Sequence, residues 1–440
     1  MDVTATAAGG ESSGPPHAAL IAACVGSAAV IWFVLLSGWL GVAPGSVIVK
    51  RQNVLFNSDT NVWIDETVNH HRPSTIAIHP LTVPLWRPPS EALVHLCQVF
   101  LPPERARLFA ARLLVALVAG TGVGCLALLA LHVGISLTQG LLLFSTYLLF
   151  TASATISLPE HFGISNGLLS IAFVIPIVVA NPRLRTAVLA ALVPLCGGTT
   201  VTNVLYPLAS LYRYSVKSAR TKRAIWTAGA LAAAAAIFLY KDSQQVAVFS
   251  QTGILPGYFP SLTRWYLKST MIHIYVDGYL NLRLLRHPLS AMVYVVYMLV
   301  APAVGPSPLV RRFPGRDVVT YEPSHQLLHL SYYWGPQAVG AILWAALLVS
   351  CTCYAIRDRR TRNLVVLPIG WILFNVVFHN LWGDELVLYA PHWSWALMAL
   401  VLLGARHLSR MVTVSIVVPV LACQIYTLIL IKRALLTIVW

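Results

Sequence analysis

What most constrains this chain is the recurrence of apolar runs long enough to cross a lipid bilayer. The first, from about His17 to Gly41, contains no Asp, Glu, Lys or Arg. At about 1.5 Å per residue it covers the roughly 30 Å of bilayer hydrocarbon. Further spans are predicted at about 107–131, 137–156, 163–180, 224–240, 289–305, 336–356, 363–380, 385–403 and 410–431. The 440 residues are 57% apolar and only 10% charged, with a mean hydropathy of +0.72, more than any water-soluble core requires. Backbone polar groups inside lipid must be satisfied within the protein, and runs of this length do so as helices. The sequence therefore predicts an all-α polytopic membrane protein of about 10–12 transmembrane helices. Residues 1–16, with two acids and no Lys or Arg, read as a disordered tail. Residues 17–440 read as a single integral membrane domain, with a large first non-cytoplasmic loop at 42–106 containing short interfacial helices.

A formal charge of +15 would suggest nucleic acid in a soluble chain, but here the basic residues gather in short connectors. "RYSVKSARTKR" at 213–223 and "RDRRTR" at 357–362 are the clearest. Lys and Arg are retained on the cytoplasmic side, so these connectors are assigned there and no nucleic-acid partner is expected. If both are cytoplasmic, an even number of crossings must separate them, whereas three spans are predicted in between. Loops 241–288 and 306–335 mix charge with aromatics, and either can hold helices lying flat at the interface. The run 186–212 has a basic flank at each end. Either it is one helix with polar Thr199, Thr200, Thr202 and Asn203 facing the bundle, or it breaks at Gly197–Gly198 into two half-helices that dip in and return. The seven cysteines lie mostly in or beside apolar runs, so neither a disulfide framework nor a cysteine metal site is expected.

The acids and histidines are the informative exceptions. "NVLFNSDTNVWIDETVNHHRPSTIAIHPLTVPLW" brings Asp59, Asp65, Glu66, His70, His71 and His79 into the first loop. "LPEHFG" at 158–163 carries Glu160, and "HNLWGDELVLYAPHW" at 379–393 carries Asp384, Glu385 and His392. With the basic connectors cytoplasmic and the N-terminus on the same side, these three segments converge on the opposite face. Each has a plainer reading: solvated loop carboxylates at 59 and 65, a helix cap at Glu160, and interface anchors at Trp382 and Trp393.

In order, a first span, an early loop acid in "FNSDTNVW", a later "HPL", an "LPE" after the third apolar run, "GGTTVTN" and a terminal "ELVLYAPHW" resemble the C-type membrane glycosyltransferases. The layout is similar to the bacterial branch related to the dolichyl-phosphate-mannose and lipid A aminoarabinose transferases, and it covers most of residues 18–403. The resemblance implies a first-loop carboxylate as catalytic base and a sugar on a polyprenyl phosphate as donor. Asp59 is then the leading base, with Asp65 or Glu66 second and Glu160 a further catalytic candidate. The chemistry agrees: a carboxylate must take the acceptor's proton as the anomeric carbon becomes oxocarbenium-like. The departing phosphate needs cationic or N–H donors. Arg72, His79, Arg87, Arg264, Lys268 and His392 are candidates for that role, and Asp384 and Glu385 for binding substrate. No resident cofactor is expected, the lipid-linked sugar being a substrate, and the residues leave a divalent metal ion open. A lipid or sugar transporter, for which no internal repeat is visible, and a membrane acyltransferase built on His379 are the alternative readings. Arg outnumbers Lys 24 to 6, and with abundant Ala and Val this points to a GC-rich genome and a bacterial inner membrane first, the endoplasmic reticulum second.

Overall fold

The computed structural model describes residues 15–51, 54–56, 58–69, 82–214, 288–313, 316–321, 333, 335–381 and 386–438. Within them the chain is a helical bundle. It begins with α1 (Pro15–Leu40), passes through short α2 (Val47–Lys50) and α3 (Thr60–Thr67), and continues with α4 (Thr82–Gln98) and α5 (Pro103–His132). Next come α6 (Leu137–Leu148), α7 (Ala152–Ile156), α8 (His161–Val178), α9 (Pro182–Thr199) and α10 (Leu205–Tyr214). The remaining helices are α11 (Pro288–Val300), α12 (Gly335–Arg357), α13 (Val366–Leu381), α14 (Leu386–Tyr389), α15 (Pro391–Ala405) and α16 (Arg410–Leu436). Among the described residues, five helices are long and apolar enough to cross a membrane: His17–Leu40 in α1, and α5, α8, α12 and α16. The protein is a multi-pass, all-α integral membrane protein; the predicted crossing at 224–240 lies outside the described residues.

Side-chain size sets how closely the central helices approach. α5 packs against α1 on one face and α8 on another. A Cβ at Gly120 would lie 2.5 Å from Val30 Cγ2, and one at Gly122 would lie 2.7 Å from the Gly167 Cα, so both contacts depend on glycine. Buried polar side chains then fix the register. Asn166 of α8 accepts from the Tyr147 hydroxyl (3.0 Å) and donates to the Pro391 carbonyl (2.8 Å) and Ser394 Oγ (3.0 Å), tying α6, α8 and α15 together.

Connector contacts define two faces. On one, Asp358 pairs with Arg406 and lies 3.1 Å from His407 Nε2, Arg406 reaches the Val133 carbonyl, Gln139 Nε2 donates to the Leu408 carbonyl (2.9 Å), and Arg213 donates to the Asn363 carbonyl (2.7 Å). Arg183, Arg185 and the 357–362 arginines belong to this basic face, Arg185 contacting the Pro176 carbonyl at the foot of α8. The other face gathers the ends of α1, α11 and α16, the first loop and the start of α8. α11 rises to it, since its last turn receives Trp393 Nε1 on the Met298 carbonyl (2.8 Å), and α12 descends from it to Arg357. These two helices make one out-and-back pair.

Three expectations are corrected. The 137–156 run is not one helix: Thr151 and Ala152 give their N–H groups to the carbonyls of Ala303 and Pro302, so α6 stops and α7 starts anew. The 186–212 run does break, but at Thr200, whose backbone is extended (φ −149°, ψ 122°), and not at Gly197–Gly198, which remain helical. Gly197 instead makes room for Val204 in the 3-10 turn at 201–204, and α10 returns to the basic face. In 306–335, one of the two loops read as able to hold interfacial helices, the described residues form instead an antiparallel hairpin, β1 (Leu309–Phe313) and β2 (Arg316–Thr320), pairing Leu309 with Thr320 and Phe313 with Arg316. First-loop residue Leu55 pairs alongside Val319, with Phe56 N–H on the Val319 carbonyl (2.8 Å) and Val319 N–H on Val54 (2.9 Å).

Candidate functional site

The site forms where the turn after α7 meets the first loop. "SLPE" leads into α8, and Glu160 precedes the first helical residue in extended conformation (φ −159°, ψ 163°), yet its side chain makes no capping bond to α8. Its carboxylate turns instead toward the first loop, where Oε1 accepts the Asp59 backbone N–H at 3.2 Å. Glu160 is only 2% exposed and Oε2 has no hydrogen-bond partner among the described residues. His161 Nδ1 lies 3.9 Å from Oε1. The helix-cap reading of Glu160 is therefore not what its side chain does.

Asp59 is delivered there by the pairing of residues 54–56 with β2. Phe56 takes a positive φ of 50° and stacks on Tyr321 with ring centroids 4.9 Å apart, which turns the chain toward α3. Asp59 sits at the N-terminal boundary of α3 with no side-chain capping bond, half-buried. α3 buries Val62, Trp63, Ile64 and Glu66, with Trp63 facing His161 at 6.5 Å between rings. Arg87 of α4 holds the far end of α3, its Nε and Nη2 donating to the Glu66 carbonyl at 3.0 and 2.6 Å. Arg87, expected as a phosphate partner, is engaged here by the Glu66 carbonyl. Asp65 accepts from Asn69 Nδ2 at 2.8 Å within its own segment.

The two facing acids differ electrostatically. Burial, with the nearby Glu66 carboxylate adding to it, raises the Asp59 carboxyl to about 6. Burial also holds Glu160 well above the usual carboxylate range, reinforced by Asp59 and opposed by the Asp59 N–H bond. With its carboxyl near 6, Asp59 is largely ionised at neutral pH, while the more deeply buried Glu160 is displaced further toward its neutral form.

The third connector reaches the same place through aromatic rings. Phe162, beside His161 (4.0 Å between rings), meets Tyr389 edge-on at 5.8 Å and His392 at 5.4 Å, and Tyr389 stacks on His379 at 4.7 Å. Thr155 Oγ1 donates to the Val387 carbonyl at 3.3 Å. His392 is buried, with Nδ1 2.8 Å from Asn203 Oδ1, and its carbonyl receives the indole N–H groups of Trp371 (2.6 Å) and Trp395 (2.9 Å). Asn203 was not singled out as a site residue; its signal was a polar run, "TTVTN", inside an apolar segment. Trp63 and His161 were likewise missed, for no local pattern distinguishes them from core or interface residues.

The first loop, the α7–α8 turn and the 386–392 connector therefore converge. Arg72, His79, Arg264, Lys268, Asp384 and Glu385 lie outside the described residues, as do His70 and His71. Among the described residues no three or more His, Cys, Asp or Glu side chains are grouped to hold a metal ion. A recess of about 20 Å³ lined by Ile21, Val25, Ala127, Ala130 and Leu131 is apolar, lies toward the basic-face end of α5 and is separate from the acids. No family model, no curated protein and no solved structure matches this chain.

Proposed function

We propose that this protein is a membrane glycosyltransferase of the C-type layout, transferring a sugar from a polyprenyl-phosphate donor to a cell-envelope, lipid or protein acceptor on the non-cytoplasmic face. The observation that carries the reading is the seating of the Asp59 backbone on the buried Glu160 carboxyl, 101 positions away in sequence. A base works only when held within reach of the proton it removes, and this contact immobilises the loop at the residue concerned. In the reaction, Asp59 takes the proton of the acceptor hydroxyl as that oxygen bonds to the anomeric carbon. The bond from that carbon to the phosphate oxygen breaks, and the polyprenyl phosphate leaves with the electron pair. Its charge needs cationic partners, for which Arg72, His79, Arg264 and Lys268 remain the candidates by sequence. His392, buried against Asn203, and Arg87, committed to the Glu66 carbonyl, are better suited to holding the frame. The positive-inside rule makes the basic face cytoplasmic, which puts Asp59 and Glu160 on the opposite leaflet, as a lipid-linked donor on that side requires.

The test is to incubate the purified protein with a panel of radiolabelled polyprenyl-phosphate sugars and follow hydrolysis or transfer. Turnover of at least one donor, lost in Asp59→Asn, is the expected result. Inactivity with every donor, together with donor-independent solute flux in proteoliposomes, would replace the enzyme with a transporter.

A further inference from the structure

The strongest unassigned feature is a half-buried charge between two helices, within a membrane-spanning segment. Arg112 lies on the face of α5 that meets α1. Its Nη2 donates to the Val34 carbonyl, and the guanidinium lies across Gly38, where a Cβ would come within 2.6 Å of Nη2. Nε is buried with no hydrogen-bond partner. Among the described residues no carboxylate pairs with Arg112: the ion pairs there join Glu160 to His161, and Asp358 to Arg406 and His407. An arginine stays protonated, and a cation within a span is costly unless an anion compensates it. Here the protein supplies one neutral carbonyl.

The surroundings say where an anion can come from. Ile31, Leu35 and Trp39 are 61%, 61% and 42% exposed along α1, so the groove beside Arg112 opens on lipid. Val34 is six residues, about 9 Å, from the outer end of α1, a depth from which a long arginine reaches headgroups. Arg105, exposed and seven residues earlier, lies on nearly the same stripe of α5, about 10 Å nearer the surface. The acids are on another face of α5, where Val115 and Val118 meet Gly163 and Gly167 of α8.

We propose that Arg112, with Arg105 above it, holds the phosphate of an anionic phospholipid in the groove between α1 and α5, on the leaflet that carries the acids. The guanidinium fork suits phosphate oxygens, and the absence of a Cβ at Gly38 leaves room for it to lie flat against α1. The site is independent of the role given to Asp59.

Melting of the delipidated full chain, titrated with phosphatidylglycerol or phosphatidylcholine, tests this. Phosphatidylglycerol should raise Tm saturably and phosphatidylcholine should not. The apparent affinity should fall about tenfold in Arg112→Gln and much less in Arg112→Lys, while Asp59→Asn responds as the native chain does. Equal responses of Arg112→Gln and the native chain would overturn the site, and protection by polyprenyl phosphate but not phosphatidylglycerol would assign Arg112 to a different lipid. If Arg112→Gln does not fold, Gly38→Ala keeps the charge while its Cβ displaces the guanidinium. A severalfold loss of affinity is expected there, and an unchanged affinity would again reject the proposal.

Discussion

At the scale of the residue, the raised Asp59 carboxyl gives the proposed transferase a pH signature. Asp59 must be ionised to act as a base, so the transfer rate should fall on the acid side as pH drops through about 6. Asp59→Asn should lower the rate by about 10² to 10⁴ with no such limb. Near-native turnover in that variant would pass the role to Asp65 or Glu66. Stability moves the other way. The folded carboxyl is raised above its ordinary value of 3.8, so its contribution is complete below that value, declines as pH rises through about 6, and is level above it. Asp59→Asn should therefore melt higher than the native chain at pH 7, with the difference vanishing toward pH 4; a native chain that melts no lower at pH 7 than at pH 4.5 contradicts the buried pair. Glu160→Gln retains an oxygen for the Asp59 N–H and should fold. Glu160→Ala leaves that donor unmet at about 1–3 kcal/mol, measurable as reduced thermal stability.

At the scale of the element, α3 is a short helix whose position depends on contacts far from it in sequence. One end is held by Glu160, and the other by Arg87 on the Glu66 carbonyl. Arg87→Ala should release that second anchor, costing about 1–3 kcal/mol as a charged hydrogen bond is lost, while the long spans remain folded. The expected readout is faster thiol labelling of an Asp65→Cys reporter and reduced transfer. Unchanged labelling would mean that α3 holds its place without Arg87. The break at Thr200 has a comparable logic: Thr199 Oγ1 receives the Trp86 indole N–H (3.1 Å), Thr200 Oγ1 lies 3.3 Å from Ser165, and Asn203 meets His392. A chain leaving helical geometry inside a membrane protein needs such polar partners.

At the scale of the whole molecule, charge and contacts divide the protein into two faces. Cysteines introduced at Asp65 and Glu104 should react with an impermeant thiol reagent from the outside of intact cells. Those at Arg183 and Arg360 should react only after permeabilisation. Labelling of positions 65 and 360 from one side would dismantle the two-faced arrangement and with it the convergent site. The same division separates the acids at the mouths of α3 and α8 from the basic connectors, which are joined through Asp358, Arg406 and His407 on the opposite face.

The sequence alone determined that the chain is helical and spans a membrane, because hydrocarbon runs of this length have no other way to satisfy their backbone. It also located the acids, since ionisable residues are conspicuous among so many apolar ones, and it marked 186–212 as irregular by the two basic flanks. Tertiary structure decided the rest. Whether Glu160 caps α8 or faces Asp59 depends on a loop docking across 101 residues, which no local pattern encodes. The break after α6 was hidden because the carbonyls that take the N–H groups of Thr151 and Ala152, just past it, belong to residues 303 and 302. The β1–β2 hairpin had a local sign, Pro314–Gly315 between "LVRRF" and "RDVVT", but its pairing with residues 54–56 could emerge only when the first loop folded back. Hydrophobicity acts through composition and is legible residue by residue; a buried hydrogen bond acts through geometry, and exists only once distant segments have been brought together.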